Sequence, residues 1–210
     1  MAIPPVVIER LPLYARALAI LDEQGRQVVS SQELGEMLSF SAAQIRKDLS
    51  YFGRFGKQGR GYNVQKLLDE LRRILGLNRQ WRMALVGIGR LGRAILGYEG
   101  FGPQGFHIVE AFDSNRQLIG QKVDGVVIRD TGELEAVLSK NPVDVGIVAV
   151  PAQEAQEVID SLVRCGVRAI LNYAPIAART PRNVTVRRID PVLALQGMTF
   201  YLKADAASAK

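Results

Sequence analysis

The stretch Leu85-Val86-Gly87-Ile88-Gly89-Arg90-Leu91-Gly92 decides the fold of most of this chain. Its glycines have the spacing G-x-G-x-x-G and directly follow an apolar strand. The residues after them repeat at helical spacing: Leu91, Ala94, Ile95 and Tyr98. In such a unit the first glycine permits the tight turn, the second lets the backbone approach a pyrophosphate, and the third lets helix and strand pack closely. We predict a dinucleotide-binding loop of Gly87, Ile88, Gly89, Arg90, Leu91 and Gly92; the alternative is a glycine turn in another kind of α/β protein.

A second apolar strand, residues 108–112, ends at Asp113, about 20 residues after the last glycine. An acidic side chain at this place can accept hydrogen bonds from both hydroxyls of an adenosine ribose. A carboxylate would repel a 2′-phosphate, so Asp113 favours NAD(H) over NADP(H), although Arg116 nearby weakens that inference. We predict Asp113 as the ribose-binding residue.

Residues 82–190 alternate short runs of Val, Ile and Leu with helical stretches. This pattern is typical of a mostly parallel, doubly wound sheet that is covered on both faces. The predicted strands are 83–86, 108–112, 126–128, 145–150, 169–172 and 184–189; the predicted helices end at 96 and span 133–138 and 153–164. Ligands of such sheets bind at the carboxyl ends of the strands. We therefore add Val150, Pro151, Asn172, Tyr173 and Ala174 to the cofactor site; the alternative is that they only terminate strands.

The composition is that of a globular chain of 210 residues with a net charge of +6 and an isoelectric point near 9.7. The charge favours a polyanionic partner without choosing between nucleic acid and membrane. No apolar run is long enough to span a bilayer and no leader pattern precedes the first helix, so we expect a cytoplasmic protein. The chain has one cysteine, Cys165, and one histidine, His107. A single cysteine excludes disulfides within the chain and thiolate metal clusters. We interpret both as structural and predict no metal.

Residues 1–80 combine helices with glycine turns. A first helix has Leu11, Ala15, Leu18 and Leu21 on one face. Ser30 and Ser41 each begin a capping-box pattern, so two helices start a short turn apart and form a helix-turn-helix. We predict three parts: a DNA-binding domain (1–80), a dinucleotide-binding domain (81–190), and a final helix with a tail (191–210).

The second helix of this pair has the composition of a recognition helix, with Ile45, Leu49 and Phe52 on its apolar side. Arg and Lys on the other faces suit phosphates or guanine edges, Gln suits adenine, and Ser and Tyr suit the DNA backbone. The predicted DNA-binding residues here are Ser41, Gln44, Arg46, Lys47, Ser50 and Tyr51.

A hairpin with four glycines follows at residues 53–62 and looks like the wing of a winged helix, able to set Lys57 or Arg60 in a minor groove. Residues 46–60 hold five cations and one anion, Asp48. The alternatives are a solvated charged surface and a dimerisation unit. Charge, paired caps and hairpin coincide here, which favours DNA binding. An amphipathic helix at 64–77 closes the domain.

Residues 192–202 are apolar on nearly all sides, so a surface helix packed along one stripe cannot bury them. A twofold-related copy of the chain could provide the second wall; the alternative is insertion into the chain's own domain. From Ala204 onward the residues are small and polar, and we expect this tail to fray.

The order of these parts and three strings of sequence resemble the Rex family of bacterial redox-sensing transcriptional repressors. The strings are Arg46-Lys47-Asp48-Leu49-Ser50-Tyr51-Phe52-Gly53, Gly87-Ile88-Gly89-Arg90-Leu91-Gly92 and Asn172-Tyr173-Ala174-Pro175. The resemblance covers essentially the whole chain and implies a winged helix joined to a Rossmann domain. It also implies a homodimer that binds a palindromic operator when NADH is scarce and leaves it when the NADH/NAD⁺ ratio rises. Genes of respiration and fermentation are the implied targets, and the last helix is implied to be exchanged between subunits beside the nicotinamide pocket.

The resemblance further implies a switch made of Arg16, Tyr98 and Asp190. Asp190 would meet Tyr98 in one state and Arg16 in the other, so that cofactor occupancy reaches the winged helices. The alternative is that Arg16 is solvated, Asp190 caps the last helix and Tyr98 belongs to the core.

Two other classes of protein stay open. A dehydrogenase would need a substrate pocket and a proton donor, but the nucleotide domain is hardly larger than a bare Rossmann unit, so we predict no catalytic residue. A Tyr-x-x-x-Lys pattern at Tyr62 and Lys66 precedes the glycine loop and is interpreted as coincidence. The third class is a CoA-binding module, because residues 169–175 also resemble the CoA-binding domains of acyl-CoA synthetases, which lack a winged helix.

Overall fold

The computed structural model describes residues 3–57 and 60–208, and the chain divides after Arg79 into two compact units. The division falls within residues 77–81, where the composition changes. We refer to the residues up to Arg79 as unit 1 and to those from Gln80 as unit 2; the final helix belongs to unit 2.

Unit 1 packs helices against a small antiparallel sheet. Its elements are α1 (Pro5–Glu23), β1 (Val28–Val29), α2 (Ser31–Leu38), α3 (Ala42–Ser50), β2 (Gly56–Lys57), β3 (Gly61–Asn63) and α4 (Val64–Ile74). Strand β3 lies between β1 and β2, and Tyr62 is paired with Val29 on one side and Gly56 on the other. Only three residues separate α2 from α3, and the β2–β3 hairpin lies where the wing is predicted. Unit 1 is therefore a winged helix-turn-helix.

Helices α2 and α3 begin at the two predicted serine caps. The Ser30 hydroxyl accepts from the Glu33 N–H at 3.0 Å and the Glu33 carboxylate accepts from the Ser30 N–H at 2.7 Å, which completes a capping box. Ser41 caps α3 by accepting from the Gln44 N–H at 3.1 Å. The second half of that box is absent from the described structure, because the Gln44 amide donates to Asp48 at 2.7 Å instead. The second capping-box prediction is thus wrong in its reciprocal half.

Unit 2 is a mostly parallel sheet with helices in its crossovers. Its elements are β4 (Trp81–Val86), α5 (Arg90–Leu96), β5 (Phe106–Asp113), β6 (Lys122–Val123), β7 (Val126–Asp130), α6 (Leu134–Lys140), β8 (Val145–Val148), α7 (Ala152–Arg164), β9 (Ala169–Asn172), β10 (Thr185–Arg188) and α8 (Pro191–Ser208). The strand order is β10-β9-β8-β4-β5-β7-β6, and only β6 runs antiparallel to its neighbour among the described strands. The predicted Rossmann-like sheet is confirmed.

Strand β4 shows how the sheet is covered. Met83 and Leu85 belong to one buried cluster, and Ala84 and Val86 belong to another. Successive side chains of a strand point to opposite faces, so the sheet is packed on both sides. The chain returns from β4 to β5 on one side and later to β8 on the other, which opens a crevice at the carboxyl end of β4.

The antiparallel strand β6 is an element that the sequence analysis missed. Its two residues are too few for a periodic pattern. The available signal was the Asp124-Gly125 pair, whose φ angles of 46° and 86° are those of a tight hairpin turn.

Helix α8 exposes its apolar residues. Seven large side chains are 45–71 % exposed: Val192, Leu193, Leu195, Met198, Phe200, Tyr201 and Leu202. This exposure argues against insertion of the helix into its own domain. The helix runs to Ser208, so the fraying expected from Ala204 is wrong. Within the described ranges, no helix is both long and apolar enough to cross a membrane.

His107 and Cys165 lie in regular or packed positions. His107 is in β5 opposite Arg82, and Cys165 packs against the cluster beneath α7. Burial raises the pKa of the Cys165 thiol. Among the residues that the structure describes, no group of three or more His, Cys, Asp or Glu side chains could hold a metal ion.

Candidate functional site

The glycine loop joins β4 to α5, and its first and third glycines are required by the fold. Gly87 has a φ of +94°, and a Cβ there would lie 2.5 Å from the carbonyl oxygen of Ala149. A Cβ on Gly92 would overlap with the carbonyl oxygen of Gly87. Any other residue would therefore be strained at Gly87 and would collide with backbone at both positions.

Gly89 differs from these two because it faces open space. Its φ is −68°, which any residue adopts, and in the described structure no heavy atom lies within 4 Å of a Cβ built on it. Gly89 is also the N-cap of α5 and supplies no side chain to cap the first N–H groups. The space that a Cβ would fill is the room that a pyrophosphate needs to approach the backbone. The loop thus fits a dinucleotide.

Asp113 ends β5 and holds the loop in place. Its Oδ2 accepts from the Ile88 N–H at 2.5 Å, and its Oδ1 accepts from the Asn115 N–H at 2.7 Å. Each carboxylate oxygen has a second lone pair, so the side chain can still accept from a hydroxyl group. Asp113 is half-buried at the cleft beside the loop. The structure therefore gives it a loop-holding role that the sequence analysis did not include.

A cleft of about 460 Å³ opens beside the loop, a size that suits a small-molecule site. Five of the predicted residues line it: Gly87, Gly89, Asp113, Val150 and Pro151. The sequence analysis missed the others: Ser114, Thr131, Gly132, Leu134, Ala149, Glu154, Glu157, Val158 and Ser161. Glu154, Glu157 and Ser161 are spaced as one face of α7. That spacing was visible in the sequence, but not which face of the helix borders a ligand.

The other four predicted residues of the glycine loop are not among the described residues that line the cleft. Ile88 and Gly92 are buried, and Arg90 and Leu91 are exposed on α5.

The loop after β9 is shaped by Asn172. Its side chain is buried, accepts from the Ala174 N–H at 2.9 Å and donates to the Ala174 carbonyl at 3.0 Å. Ala174 is also buried, and burial raises the pKa of the Tyr173 hydroxyl. Asn172 therefore shapes the loop after β9, and Asn172, Tyr173 and Ala174 are not among the described residues that line the cleft.

The outer side of α3 carries cations. Arg46, Lys47 and Ser50 are exposed, whereas Ile45 and Leu49 are buried. The Arg46 guanidinium donates to the Ser31 hydroxyl at 3.0 Å, and the Ser50 hydroxyl donates to the Lys47 carbonyl at 2.7 Å. Ser41 is exposed with its hydroxyl in the cap, and Gln44 and Tyr51 are half-buried.

A hollow of about 770 Å³ lies between the start of α2, helix α3 and the β2–β3 hairpin. Arg46 and Arg54 are the charged residues of its described lining. Arg60 is exposed on the hairpin, and the side chain of Lys57 lies outside the described residues. A concave surface with this charge suits a sugar-phosphate backbone.

Asp48 is the one anion counted among the cations of residues 46–60, but it does not lie on this surface. Its side chain is 0 % exposed and pairs with Arg10 of α1. The surface of α3 is therefore more positive than the charge count indicates.

The three predicted switch residues have distinct settings. Asp190 caps α8 by accepting from the Val192 N–H at 3.1 Å. Arg16 is exposed on α1. Tyr98 lies two residues beyond the end of α5. It is 59 % exposed and packs edge-on against Phe101, so the alternative of a core tyrosine is wrong.

Comparison with known proteins gives consistent results for both units. A family model described as the CoA binding domain matches residues 78–176, and one described as the putative DNA-binding protein N-terminus matches residues 2–50. A redox-sensing transcriptional repressor Rex from Roseiflexus sp. is 55 % identical over 99 % of this chain and 94 % of the relative. Its counterpart from Chloroflexus aurantiacus is 56 % identical over 95 % and 94 %.

Solved structures agree with this. The chain superposes on a crystal structure of RSP in complex with β-NAD⁺ and operator DNA with a TM-score of 0.93, at 37 % identity, covering 100 % of this chain and 97 % of the other. A structure of RSP in complex with β-NADH gives a TM-score of 0.90 at 35 % identity, covering 100 % and 99 %. RSP is described as a Rex-family repressor.

A winged helix-turn-helix and a dinucleotide-type sheet in one chain define a transcription regulator that responds to a nucleotide. The relatives narrow this class further, because they match along nearly the full length. The chain belongs to the Rex family of redox-sensing transcriptional repressors. It is therefore a repressor and neither a dehydrogenase nor a CoA-binding subunit of a larger enzyme.

Proposed function

We propose that this protein binds palindromic operator DNA as a homodimer and is released when NADH binds the cleft of unit 2. The operators control respiratory and fermentative genes, and the protein acts in the cytoplasm. The observation that carries the proposal is one chain with both an open glycine loop at Gly89 and an exposed basic helix α3. The solved relatives with NAD⁺ and operator DNA, and with NADH, support it.

The cleft would hold NAD(H) through the glycine loop and Asp113. The backbone at Gly89 would take the pyrophosphate, and Asp113 the adenosine ribose. Val150 and Pro151 border the cleft, while Asn172, Tyr173 and Ala174 would act through the loop after β9. The oxidation state of the bound nucleotide is the signal, and the protein senses this state without changing it.

Titration of the apo protein with NADH, NAD⁺, NADPH and CoA tests this assignment of the cleft. We expect NADH to bind most tightly, followed through the fluorescence of Trp81 or of the nucleotide. A preference for CoA would overturn the redox-sensor function and would instead favour a CoA-binding cleft, as the name of the family model matching residues 78–176 describes.

Asp113→Ala should weaken NADH binding by roughly 1.5–3 kcal/mol, the range for losing charge-assisted hydrogen bonds. NADPH should lose much less, because its 2′-phosphate gains nothing from the carboxylate. Calorimetric titration of both nucleotides measures the difference. Equal losses would show that Asp113 does not contact the ribose and acts on the loop through Ile88 alone.

Arg46 and Lys47 on α3, with Lys57 and Arg60 on the hairpin, are the proposed DNA contacts. Arg46→Ala and Lys47→Ala should each weaken operator binding: a lost phosphate contact lowers the salt slope by about one unit, and a lost base contact costs about 1–3 kcal/mol at one base pair. Arg72→Ala is the matched control, because Arg72 is an exposed cation on α4. Fluorescence anisotropy at several salt concentrations distinguishes these outcomes. Unchanged affinity in both α3 variants would mean that the recognition helix is misassigned.

The homodimer is proposed from α8, whose exposed apolar side chains need a partner wall. Arg16, Tyr98 and Asp190 are proposed to transmit occupancy of the cleft to the winged helices. Asp190 is engaged as a helix cap here, and only one of its oxygens is used for that bond. The carboxylate can therefore accept further hydrogen bonds while it caps α8.

A further inference from the structure

A fully buried carboxylate lies on the inner side of the recognition helix. Asp48 is 0 % exposed and accepts four hydrogen bonds. The Arg10 Nε and Nη2 donate at 2.6 and 2.9 Å, the Tyr14 hydroxyl at 2.6 Å and the Gln44 Nε2 at 2.7 Å. Each of the two carboxylate oxygens of Asp48 therefore accepts two hydrogen bonds, which fix the orientation of the group.

Three of these four donors belong to two residues of α1, Arg10 and Tyr14, so the carboxylate joins α1 to α3. The α1 side of the joint is itself held by Phe40, in the turn between α2 and α3. The Arg10 guanidinium lies 5.8 Å from the Phe40 ring centre, and the Tyr14 ring meets Phe40 edge-on at 6.0 Å. We call Arg10, Tyr14 and Asp48 the α1–α3 clamp.

The clamp is charged on both sides. Burial raises the pKa of Asp48, but the hydrogen bonds from Arg10, Tyr14 and Gln44 outweigh it and hold the pKa below its ordinary value. Burial and the bond to Asp48 raise the pKa of Tyr14, which keeps its hydroxyl protonated. A buried ion pair of this kind is a poor source of stability, because well-packed apolar residues often serve as well. The contribution of this ion pair is its directional hydrogen bonds, which apolar packing cannot provide.

The clamp also decides which end of the Gln44 amide is available. Because Nε2 donates to Asp48, the amide oxygen remains to accept from a ligand. An acceptor at the start of a recognition helix matches the amino group of adenine or cytosine in the major groove.

We propose that Asp48 is a positioning residue for operator recognition, which fixes the rotation of α3 about its axis and the orientation of the Gln44 amide. This inference rests on the proposed function of α3. Arg46, Lys47 and Ser50 lie on the outer side of α3. If α3 rotated about its own axis, all three would change position together.

The test replaces the whole clamp by apolar residues in the variant Arg10→Met/Tyr14→Phe/Asp48→Leu. Wild type and variant are titrated with two duplexes of equal length, the palindrome recovered by wild type from random DNA and a scrambled version. The temperature is one at which circular dichroism shows both proteins folded. We expect the preference for the palindrome to fall about tenfold, the cost of about one lost base contact, with binding to scrambled DNA unchanged.

Glu70→Gln is the matched control, because it breaks an ion pair of unit 1 that lies on α4, with Arg73. Its preference should equal that of wild type. Tyr14→Phe removes one bond and keeps the charge pair, so it should lower the preference about two- to tenfold and serves if the triple variant does not fold.

An unchanged preference in the folded triple variant, or in Tyr14→Phe if the triple variant is unfolded, overturns the positioning role. A wild-type protein that prefers no palindrome overturns the proposed function itself.

Discussion

Gly92→Ala should destabilise unit 2 by about 3 kcal/mol or more, whereas Gly89→Ala should leave the unit folded and weaken NADH binding. The added methyl group at Gly92 overlaps with the carbonyl oxygen of Gly87, and because this obstacle is backbone, it cannot move aside as a flexible side chain would. At Gly89 the same methyl group meets no heavy atom of the described chain within 4 Å. It would instead fill the space proposed for the pyrophosphate, at a cost of about 1–3 kcal/mol in binding.

Thermal unfolding and NADH titration of the two variants separate these effects. Wild type is the reference for both measurements. A Gly89→Ala protein that binds NADH as tightly as wild type would contradict the placement of the cofactor at this loop.

Truncation after Asp190 should give monomers that bind operator DNA about 10²–10⁴-fold more weakly, because the second half-site is no longer bound intramolecularly. The deleted helix α8 carries seven large apolar side chains that are 45–71 % exposed. Sedimentation and anisotropy measure assembly and DNA binding on the same protein. Leu195→Asp in the full chain should likewise weaken both the dimer and operator binding. Gln196→Ala is the matched control and should leave both unchanged. A stable dimer after truncation would rule out α8 as the dimerisation element.

Local rules were enough to place the glycine loop between a strand and a helix and to place Asp113 at the end of the next strand. Gly92 is required by its contact with Gly87 inside one strand-turn-helix unit, so the glycine spacing alone predicts it. Gly87 is required by its positive φ and also by Ala149, just after β8, and the spacing does not show that second contact. The lining residues Glu154 and Thr131 come from distant crossovers, and only the folded sheet brings them to the same cleft. Asn172 was predicted by its place at a strand end, but burial turns its side chain toward Ala174.

Asp48 shows where the sequence held a signal that was not used. It lies three residues after Ile45 and one before Leu49, on the apolar side of α3. Counting it as a surface anion ignored that position. Its partner Arg10 is likewise one residue from buried Leu11 on α1. The pairing itself could not be predicted, because it depends on how α1 crosses α3.

NADH should lower the affinity of this repressor for its operator. The direct measurement is operator affinity with no nucleotide, with saturating NAD⁺ and with saturating NADH. We predict that NADH weakens binding by about 5–150-fold, the usual size of allosteric coupling, that NAD⁺ has much less effect, and that Asp190→Ala or Arg16→Ala reduces the NADH effect while NADH still binds. An affinity that is the same with and without NADH would contradict release of the operator by NADH.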